Sequence, residues 1–220
     1  MTTNSINPED FIITRKRKKY KFALFANSPL CFEFEDWDQS WRPDVIEIGA
    51  GTGQFVVELA ARHPEKHYLA VDVKGDRLQK GAVEAENRGI ANVRFLRARA
   101  DQLVEIFKPN SIDEIWLTFS DPFPRERSAG RRLTHPNFLT QYQKMLTANG
   151  ALKIKHDNPG FFQWTLEQLV ASRWKITELS FDLHESGLSD DYKILTPYEE
   201  RWLGEGRITQ FVIANVCGIE

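Results

Sequence analysis

The stretch DVIEIGAGTGQFVVELAARHPEKHYLAVDV, residues 44–73, constrains the fold of this chain more than any other part of the sequence. It opens with a short apolar run, residues 45–48, as in a parallel strand that is covered on both faces. A helical apolar repeat begins at Phe55, and three glycines separate it from the strand: Gly49, Gly51 and Gly53. Glycine has no Cβ, so it adopts positive φ readily and lets a ligand approach the backbone. This order predicts a nucleotide-like ligand at the carboxyl end of a parallel sheet, and the alternative is a tight structural turn.

Two acids near this turn indicate the kind of ligand. Asp72 ends the next predicted strand, residues 67–72, where its carboxylate can accept hydrogen bonds from both hydroxyls of a ribose. A nicotinamide-binding fingerprint would have a small residue at the position of Gln54, because the helix packs closely there. Glu47 precedes the first glycine by two residues, and EIGAGTG resembles the first motif of class I methyltransferases, whose cofactor is S-adenosylmethionine. The motif therefore favours a methyl donor, and a nicotinamide-dependent oxidoreductase is the alternative.

Strand-like and helix-like segments continue to alternate along the chain. Strands are predicted at residues 93–96, 112–119, 151–155, 174–181 and 208–216, and helices at 137–146 and 160–172. This alternation predicts an α/β fold with an open, mostly parallel sheet. With the methyltransferase-like motif, we expect a Rossmann-like class I methyltransferase fold: a mostly parallel seven-stranded sheet, helices on both faces and an antiparallel last strand. We expect residues 23–220 to form a single domain and residues 1–22 a basic, flexible N-terminal arm.

Composition is consistent with one large domain. The chain has 220 residues, of which 41% are hydrophobic, enough to bury a full core. It has no apolar run long enough to span a bilayer and no signal-peptide-like apolar segment, so we expect no membrane partner. The two cysteines are far apart in sequence, which favours a reducing compartment, so we expect a cytoplasmic protein. Cys31 and Cys217 form no paired metal motif, and the five histidines lack metalloprotease spacing, so we expect no metal.

Basic residues are concentrated in two runs, although the net charge is −2. RKRKKYK spans residues 15–21, and RERSAGRR spans residues 125–132. Local patches of this kind are typical of phosphate binding even on a nearly neutral protein. A solvated tail and a mobile surface loop would have the same composition, so charge alone leaves both interpretations open.

The segment after the fourth predicted strand, TFSDPFPRERSAGRRLTHPNFL, carries the most specific motif. It resembles the signature (F)-(P/S)-D-P-W-P-K-(K)-R-H-x-K-R-R-L of the bacterial tRNA (guanine-N7-)-methyltransferase family, the TrmB type. KHDNPGFF resembles that family's T-D-N-x-G-x-F, and TPYEERWLGEGRI resembles its T-x-Y-E segment. The resemblance covers nearly the whole chain from about Arg15, with the motifs in the family's order. It implies an enzyme that transfers a methyl group from S-adenosylmethionine to N7 of a guanine in tRNA, in the variable loop.

The resemblance also implies roles for individual residues. Asp121 matches the family's catalytic aspartate, which also lines the cofactor. The other residues implied to bind the cofactor follow successive predicted strands: Glu47, Gly49, Gly51, Gly53, Asp72, Arg99 and Ala100. Those implied to bind tRNA are Arg125, Asp157, Thr196, Pro197, Tyr198 and Glu199. We expect Glu199 to read the Watson–Crick edge of the guanine, with Asp121 and Asp157 as the other candidates; each acid has a structural alternative as a cap or a solvated helix residue.

Departures from the family pattern put the activity in question. Arg99 stands where the family has an aspartate that meets the adenosine, so the charge there is reversed. Phe123 replaces the motif's tryptophan, and RSAGRR lacks the histidine and lysine of R-H-x-K-R-R. A weakly active or non-catalytic tRNA-binding relative is therefore a second alternative. The sequence does not distinguish a monomer from a homodimer.

Overall fold

The computed structural model describes residues 5–13 and 15–216. Its helices are α1 (Lys16–Asn27), α2 (Gln54–Arg62), α3 (Gly75–Arg88), α4 (Leu103–Ile106), α5 (Pro136–Met145), α6 (Pro159–Ala171) and α7 (Pro197–Leu203). Its strands are β1 (Cys31–Glu33), β2 (Val45–Ile48), β3 (Tyr68–Asp72), β4 (Val93–Arg97), β5 (Ile112–Thr118), β6 (Leu146–His156), β7 (Trp174–Ser180) and β8 (Gln210–Val216). Short 3-10 helices lie at Pro8–Asp10, Phe34–Asp36, Ala100–Gln102 and Glu126–Arg131.

The strands form one sheet in the order β1-β4-β3-β2-β5-β6-β8-β7. Strands β1 to β6 are parallel to one another, whereas β8 is antiparallel to both β6 and β7. After β2 the chain builds β3 and β4 on one side and then returns to build β5 on the other. The direction of sheet growth therefore reverses between β2 and β5, and ligands bind at the carboxyl ends of the strands at such a reversal.

Apolar side chains cover both faces of the sheet. Successive residues of a strand point to opposite faces, so Ile46 belongs to one core cluster and its neighbour Val45 to the other. Helices α5 and α6 cover the first face, where Tyr142 and Phe162 are buried. Helices α2 and α3 cover the second face, where Phe55 is buried. Burial on both sides explains why β2 is a continuous apolar run apart from Glu47.

The carboxyl ends of five adjacent strands lie at one edge of the sheet. The glycine turn follows β2, Asp72 ends β3, Arg99 follows β4, Asp121 follows β5 and Asp157 follows β6. Since these strands are parallel to one another, most of the predicted cofactor and substrate residues share this edge. We call it the carboxyl edge below.

The predicted α/β architecture, the helices on both faces and the antiparallel last strand are confirmed, but the sheet has eight strands instead of seven. The additional strand is β1, whose three residues are too few for a periodic pattern. The last strand begins at Gln210, two residues later than expected. Helix α1 crosses the expected boundary after residue 22, and Ala23 and Phe25 are buried. The division into an arm and a domain stays a prediction.

Candidate active site

The glycine turn after β2 has a backbone that only glycine adopts without strain. Gly49, Gly51 and Gly53 have φ of +75°, +58° and +71°. A Cβ on Gly53 would lie 2.7 Å from the ring of Phe95, whereas a Cβ on Gly51 would meet no atom within 4 Å. Gly53 is therefore required for close packing, and the space in front of Gly51 is open to a ligand. Gly53 is also the N-cap of α2, which places the positive end of the helix dipole at this turn.

Asp72 connects the end of β3 to the glycine turn. Its Oδ2 accepts a hydrogen bond from the N–H of Gly51 at 2.9 Å, and its Oδ1 accepts one from the N–H of Lys74 at 2.8 Å. A carboxylate oxygen can accept more than one hydrogen bond. The two contacts therefore fix the orientation of the carboxylate and leave it able to accept hydrogen bonds from a ribose.

Glu47 is an acid inside the sheet, with 1% of its surface exposed. Its Oε1 accepts a hydrogen bond from the Thr118 hydroxyl, and its Oε2 is buried without a hydrogen-bond partner among the described residues. Burial raises the pKa of Glu47 to about 7, although the Thr118 hydroxyl, the Val56 amide and the Lys155 ammonium act in the opposite direction. A buried acceptor without a donor is costly. Oε2 has almost no contact with solvent, so a cofactor would reach it only after neighbouring atoms moved.

Arg99 and Ala100 follow β4 at the carboxyl edge. The guanidinium of Arg99 donates to both carboxylate oxygens of Asp101, with 2.9 Å between Nε and Oδ1. The hydrogen bonds from Arg99 hold the pKa of Asp101 below its ordinary value. The Arg99 side chain is 68% exposed. The reversed charge at this position is therefore paired within the chain and lies at the rim of the site.

The loop after β5 has an unusual backbone on both sides of Asp121. Phe119 and Phe123 have φ of +50° and +39°, a conformation that costs energy for residues other than glycine. Such residues persist where surrounding contacts hold them, and they concentrate at functional sites. Asp121 is exposed, and its Oδ1 accepts a hydrogen bond from the N–H of Phe123 at 3.1 Å. The loop thus presents this carboxylate at the end of the strand next to β2.

Arg132, from the second basic run, holds the outer part of this loop. Its Nε donates to the carbonyl of Pro122 at 3.0 Å, and a terminal guanidinium nitrogen donates to the carbonyl of Phe123 at 3.1 Å. Its guanidinium carbon lies 4.3 Å from the centre of the Trp164 ring. Arg131 lies 4.4 Å from the centre of the Phe123 ring. These two arginines support the loop in addition to contributing charge.

The other arginines of this run are on the surface. Arg125 and Arg127 are exposed, and Arg125 is the N-cap of the 3-10 helix Glu126–Arg131. Because this helix directly follows the Asp121 loop, its charged side chains lie beside the carboxyl edge. They can meet the phosphates of a nucleic acid whose base reaches Asp121.

Asp157 links the end of β6 to α7. Its Oδ2 accepts hydrogen bonds from Arg207 at 2.8 Å and from the Tyr198 hydroxyl at 3.4 Å. The Tyr198 ring is 46% exposed, and its centre lies 5.3 Å from that of Phe119. An exposed aromatic face therefore lies beside the Asp121 loop and is suited to stacking of an unpaired base, whereas the Asp157 side chain is 5% exposed and already hydrogen-bonded.

Helix α7 begins at Pro197, as the sequence predicted. The Thr196 hydroxyl accepts a hydrogen bond from the N–H of Glu199 at 3.0 Å, and the Glu199 carboxylate accepts one from the N–H of Thr196 at 3.5 Å. This reciprocal pair is a capping box, with proline in the first turn. The predicted Thr196 cap is confirmed.

The Glu199 side chain lies inside the protein, 1% exposed, and not at the surface. Its Oε2 accepts a hydrogen bond from Lys155 at 2.7 Å, and its Oε1 lies 2.8 Å from His184 Nε2 and 3.1 Å from the Thr209 hydroxyl. A carboxylate that reads a base edge would have to leave this network. The geometry therefore gives Glu199 an internal role and does not support the expectation that it contacts guanine.

Lys155 and Thr118 are parts of the site that the sequence analysis did not single out. Lys155 is fully buried in β6, and its register partner in β5 is Thr118, which donates to Glu47. A lysine inside a buried strand is a detectable signal, because a buried ammonium requires an acid. The sequence does not show which acid, since Glu199 is 44 residues away.

Other parts of the described chain offer no competing site of the predicted kinds. Within residues 5–13 and 15–216, no group of three or more His, Cys, Asp and Glu side chains is arranged to hold a metal ion. No helix in those ranges has both the length and the apolar character needed to cross a membrane. Two cavities of about 130 and 120 Å³ contain none of the site residues. Cys31 forms no disulfide, and Cys217 lies outside the described residues.

Comparison with known proteins places this geometry in a family. Residues 41–211 match the family described as "Putative methyltransferase". The tRNA (guanine-N(7)-)-methyltransferase of Brevibacillus brevis is 36% identical over 190 residues, which cover 85% of this chain and 88% of the relative. The enzyme of the same name from Bacteroides thetaiotaomicron is 34% identical, covering 90% of this chain and 84% of the relative. A solved structure of an antibiotic-related methyltransferase is 16% identical with a TM-score of 0.60, covering 83% of this chain and 96% of that one, which supports the fold.

Proposed function

Because the chain belongs to the family of tRNA (guanine-N(7)-)-methyltransferases, we propose that it transfers a methyl group from S-adenosylmethionine to N7 of a guanine in the variable loop of tRNA. The observation that supports this most is the placement of two features at neighbouring strand ends. The open glycine turn follows β2, and the exposed Asp121 follows β5. A cofactor and a base can therefore meet between them.

The residues of the glycine turn and of β3 are suited to hold the cofactor. The open space at Gly51 admits it, Asp72 is oriented to accept hydrogen bonds from its ribose, and Glu47 lies at the end of β2 beneath the turn. S-adenosylmethionine supplies a methyl group on a sulfonium centre. Arg99 and Ala100 form the rim next to the adenosine, where the Arg99–Asp101 pair keeps the local net charge near zero.

The reaction requires the protein to align the two substrates and does not require a general base. N7 of guanine has a free lone pair and no proton, so it can attack the methyl group directly. Preorganised approach of two reactants can contribute roughly 7–11 kcal/mol. The guanine gains positive charge during transfer, and a nearby carboxylate favours that charge. We assign this role to Asp121, whose exposed carboxylate is held by the Phe123 amide.

Asp157 and Tyr198 are the residues we assign to holding the guanine. Tyr198 offers an exposed aromatic face for stacking, and Asp157, whose side chain is 5% exposed, holds that ring in place by accepting a hydrogen bond from the Tyr198 hydroxyl. Glu199 supports this arrangement from inside, because its bonds to Lys155 and Thr196 hold the first turn of α7, which carries Tyr198. N7 is often engaged in tertiary pairing in folded tRNA. The base therefore has to be displaced, at a cost of a few kcal/mol.

The two basic runs are suited to the tRNA backbone. Arg15, Lys16, Arg17 and Lys18 are exposed around the start of α1. The positive end of a helix dipole repels cations, so these clustered charges slightly destabilise the free protein. Binding of an anionic partner relieves that repulsion. Arg125 and Arg127 provide a second cationic surface beside the Asp121 loop. Phosphates of the tRNA backbone can bind to both cationic surfaces.

Labelled methyl transfer to tRNA tests the proposal directly. The full-length protein is incubated with methyl-labelled S-adenosylmethionine and bulk tRNA, and the digested nucleosides are analysed for 7-methylguanosine. A matched substrate carries 7-deazaguanine at the variable-loop position, which replaces N7 by a carbon while leaving the Watson–Crick edge intact. We expect label in 7-methylguanosine from natural tRNA and none in the deaza substrate. Label in another nucleoside, or tRNA binding without incorporation, would reject the proposed reaction.

A further inference from the structure

His156 is a buried imidazole at the end of β6, 3% exposed, in the position where the family motif has threonine. Its Nε2 lies 2.9 Å from the carbonyl oxygen of Ser120, and its Nδ1 lies 2.9 Å from the backbone nitrogen of Asn158. Its ring centre lies 4.4 Å from that of Phe161. The side chain thus joins β6, the start of α6 and the residue directly before Asp121.

The two contacts determine the protonation state of the ring. A backbone N–H only donates, so Nδ1 must accept from Asn158 and carry no proton. In a neutral imidazole the proton is then on Nε2, where it donates to the Ser120 carbonyl. Burial lowers the pKa of His156, which agrees with a neutral ring.

The bond to Ser120 acts on the orientation of Asp121. The Ser120 carbonyl belongs to the planar peptide group that ends at the Asp121 nitrogen, so fixing the oxygen fixes that plane. The preceding residue, Phe119, is held at its positive φ by an N–H donated to the Lys155 carbonyl at 2.9 Å. Two consecutive residues of β6 therefore brace two consecutive residues of the loop. The hydroxyl of threonine ends too close to the backbone to replace the imidazole in this bridge.

We infer that His156 is a positioning residue: its neutral Nε2–H form holds the Ser120–Asp121 peptide so that the Asp121 carboxylate faces the reacting groups. The catalytic consequence rests on the proposed methyl transfer, whereas the structural part does not. The hydrogen bond from Nε2 to the Ser120 carbonyl performs this positioning role. The Nδ1 contact supports the start of α6, where Asn158 is the N-cap.

Two amide variants separate the two ends of the ring. In His156→Gln, the side-chain NH₂ is as many bonds from Cβ as Nε2 is, so it can donate to Ser120. In His156→Asn, the side-chain oxygen is as many bonds from Cβ as Nδ1 is, so it can accept from Asn158 but does not reach Ser120. We expect the Asn variant to lose about tenfold or more in kcat with little change in KM for S-adenosylmethionine, and the Gln variant to recover most of that loss. The reverse order would show that the ring serves only the cap of α6.

Hydrogen exchange of residues 119–123 gives a second readout that needs no activity. The Phe119 amide donates a hydrogen bond to the Lys155 carbonyl, and the Phe123 amide donates one to the Asp121 carboxylate. We expect their exchange to accelerate in the Asn variant and to stay close to wild type in the Gln variant. Unchanged exchange in the Asn variant overturns the positioning role. If the wild-type protein does not methylate tRNA, the proposed function fails, and the exchange result still decides the role of His156.

Discussion

Replacing Lys155 by methionine is expected to lower the free energy of unfolding by about 3–5 kcal/mol, because it leaves a buried carboxylate without its cation. The side chains of Lys155 and Glu199 are 0% and 1% exposed, and Nζ lies 2.7 Å from Oε2. Solvent therefore screens this pair very little. Lys155 also donates to the Ile194 carbonyl at 2.9 Å, so its removal leaves a second buried acceptor without a donor.

Denaturant unfolding followed by tryptophan fluorescence measures this loss, since the chain contains six tryptophans. For a protein of this size, the expected loss corresponds to a decrease in Tm of roughly 6–20 °C. Lys153→Met is the matched control. Lys153 lies two residues earlier on the same face of β6 and pairs with Glu114, but these side chains are 11% and 21% exposed. We expect a smaller loss, about 1–2 kcal/mol, because Glu114 keeps Lys66 as a cationic partner.

The double variant Lys155→Met, Glu199→Met completes the test. Removing both charges leaves neither one uncompensated, so the double variant should be at least about 1 kcal/mol more stable than the sum of the single losses implies. Strict additivity, or a Lys155→Met variant as stable as Lys153→Met, would refute the description of Lys155 and Glu199 as a coupled buried pair. The same variants should bind S-adenosylmethionine normally if the pair acts mainly on α7.

Three further outcomes follow from the site. Asp121→Asn should lower methyl transfer about a hundredfold or more while leaving cofactor affinity and Tm near wild type; a large fall in Tm would indicate a turn cap instead. Glu47 has a folded-state pKa of about 7, above its unfolded value. Its contribution to the free energy of unfolding is therefore fully present below the unfolded pKa and is lost as the pH rises through 7. Between pH 5 and 8, Glu47→Gln should therefore gain about 2–3 kcal/mol of unfolding free energy relative to wild type, and a pH-independent difference would contradict the raised pKa. Replacing residues 16–18 by glutamine should weaken binding to all tRNAs alike and flatten the slope of log affinity against log salt by about 2–3, whereas Lys175→Gln, at the opposite end of the sheet, should leave the slope unchanged.

The parts of the fold that the sequence predicts are those governed by neighbouring residues. The β2 strand, the glycine turn and α2 follow from a buried apolar run, three glycines and a helical repeat within 20 residues, 44–63. The cap at Thr196 is equally local, because the capping box joins residues three positions apart. The acid of that box, Glu199, illustrates the limit. Its sequence position suggests an exposed helix acid, and its burial is explained by more distant partners, above all Lys155.

The loop around Asp121 shows a second limit. The motif predicts that Asp121 lies beyond β5, and the structure agrees. The positive φ of Phe119 and Phe123 is not predictable from residue type, because phenylalanine disfavours this region. The conformation comes from Lys155, His156 and Arg132, which contact the loop from other parts of the chain. The sequence therefore predicts which acid follows β5, but it does not predict the strained backbone that orients that acid.

The antiparallel strand β8 lies between β6 and β7, although it is synthesised after both. Gln210 follows Ser180 by 30 residues, and among the described strands β8 is the sole partner of β7. On the ribosome, the growing chain therefore exposes a free edge of β6 and an unpaired β7 until residues 210–216 emerge. Thr209, which donates to Glu199, emerges only just before them. A nascent chain can thus build its glycine turn early, but it completes the support of α7 only after residues 209–216 have emerged.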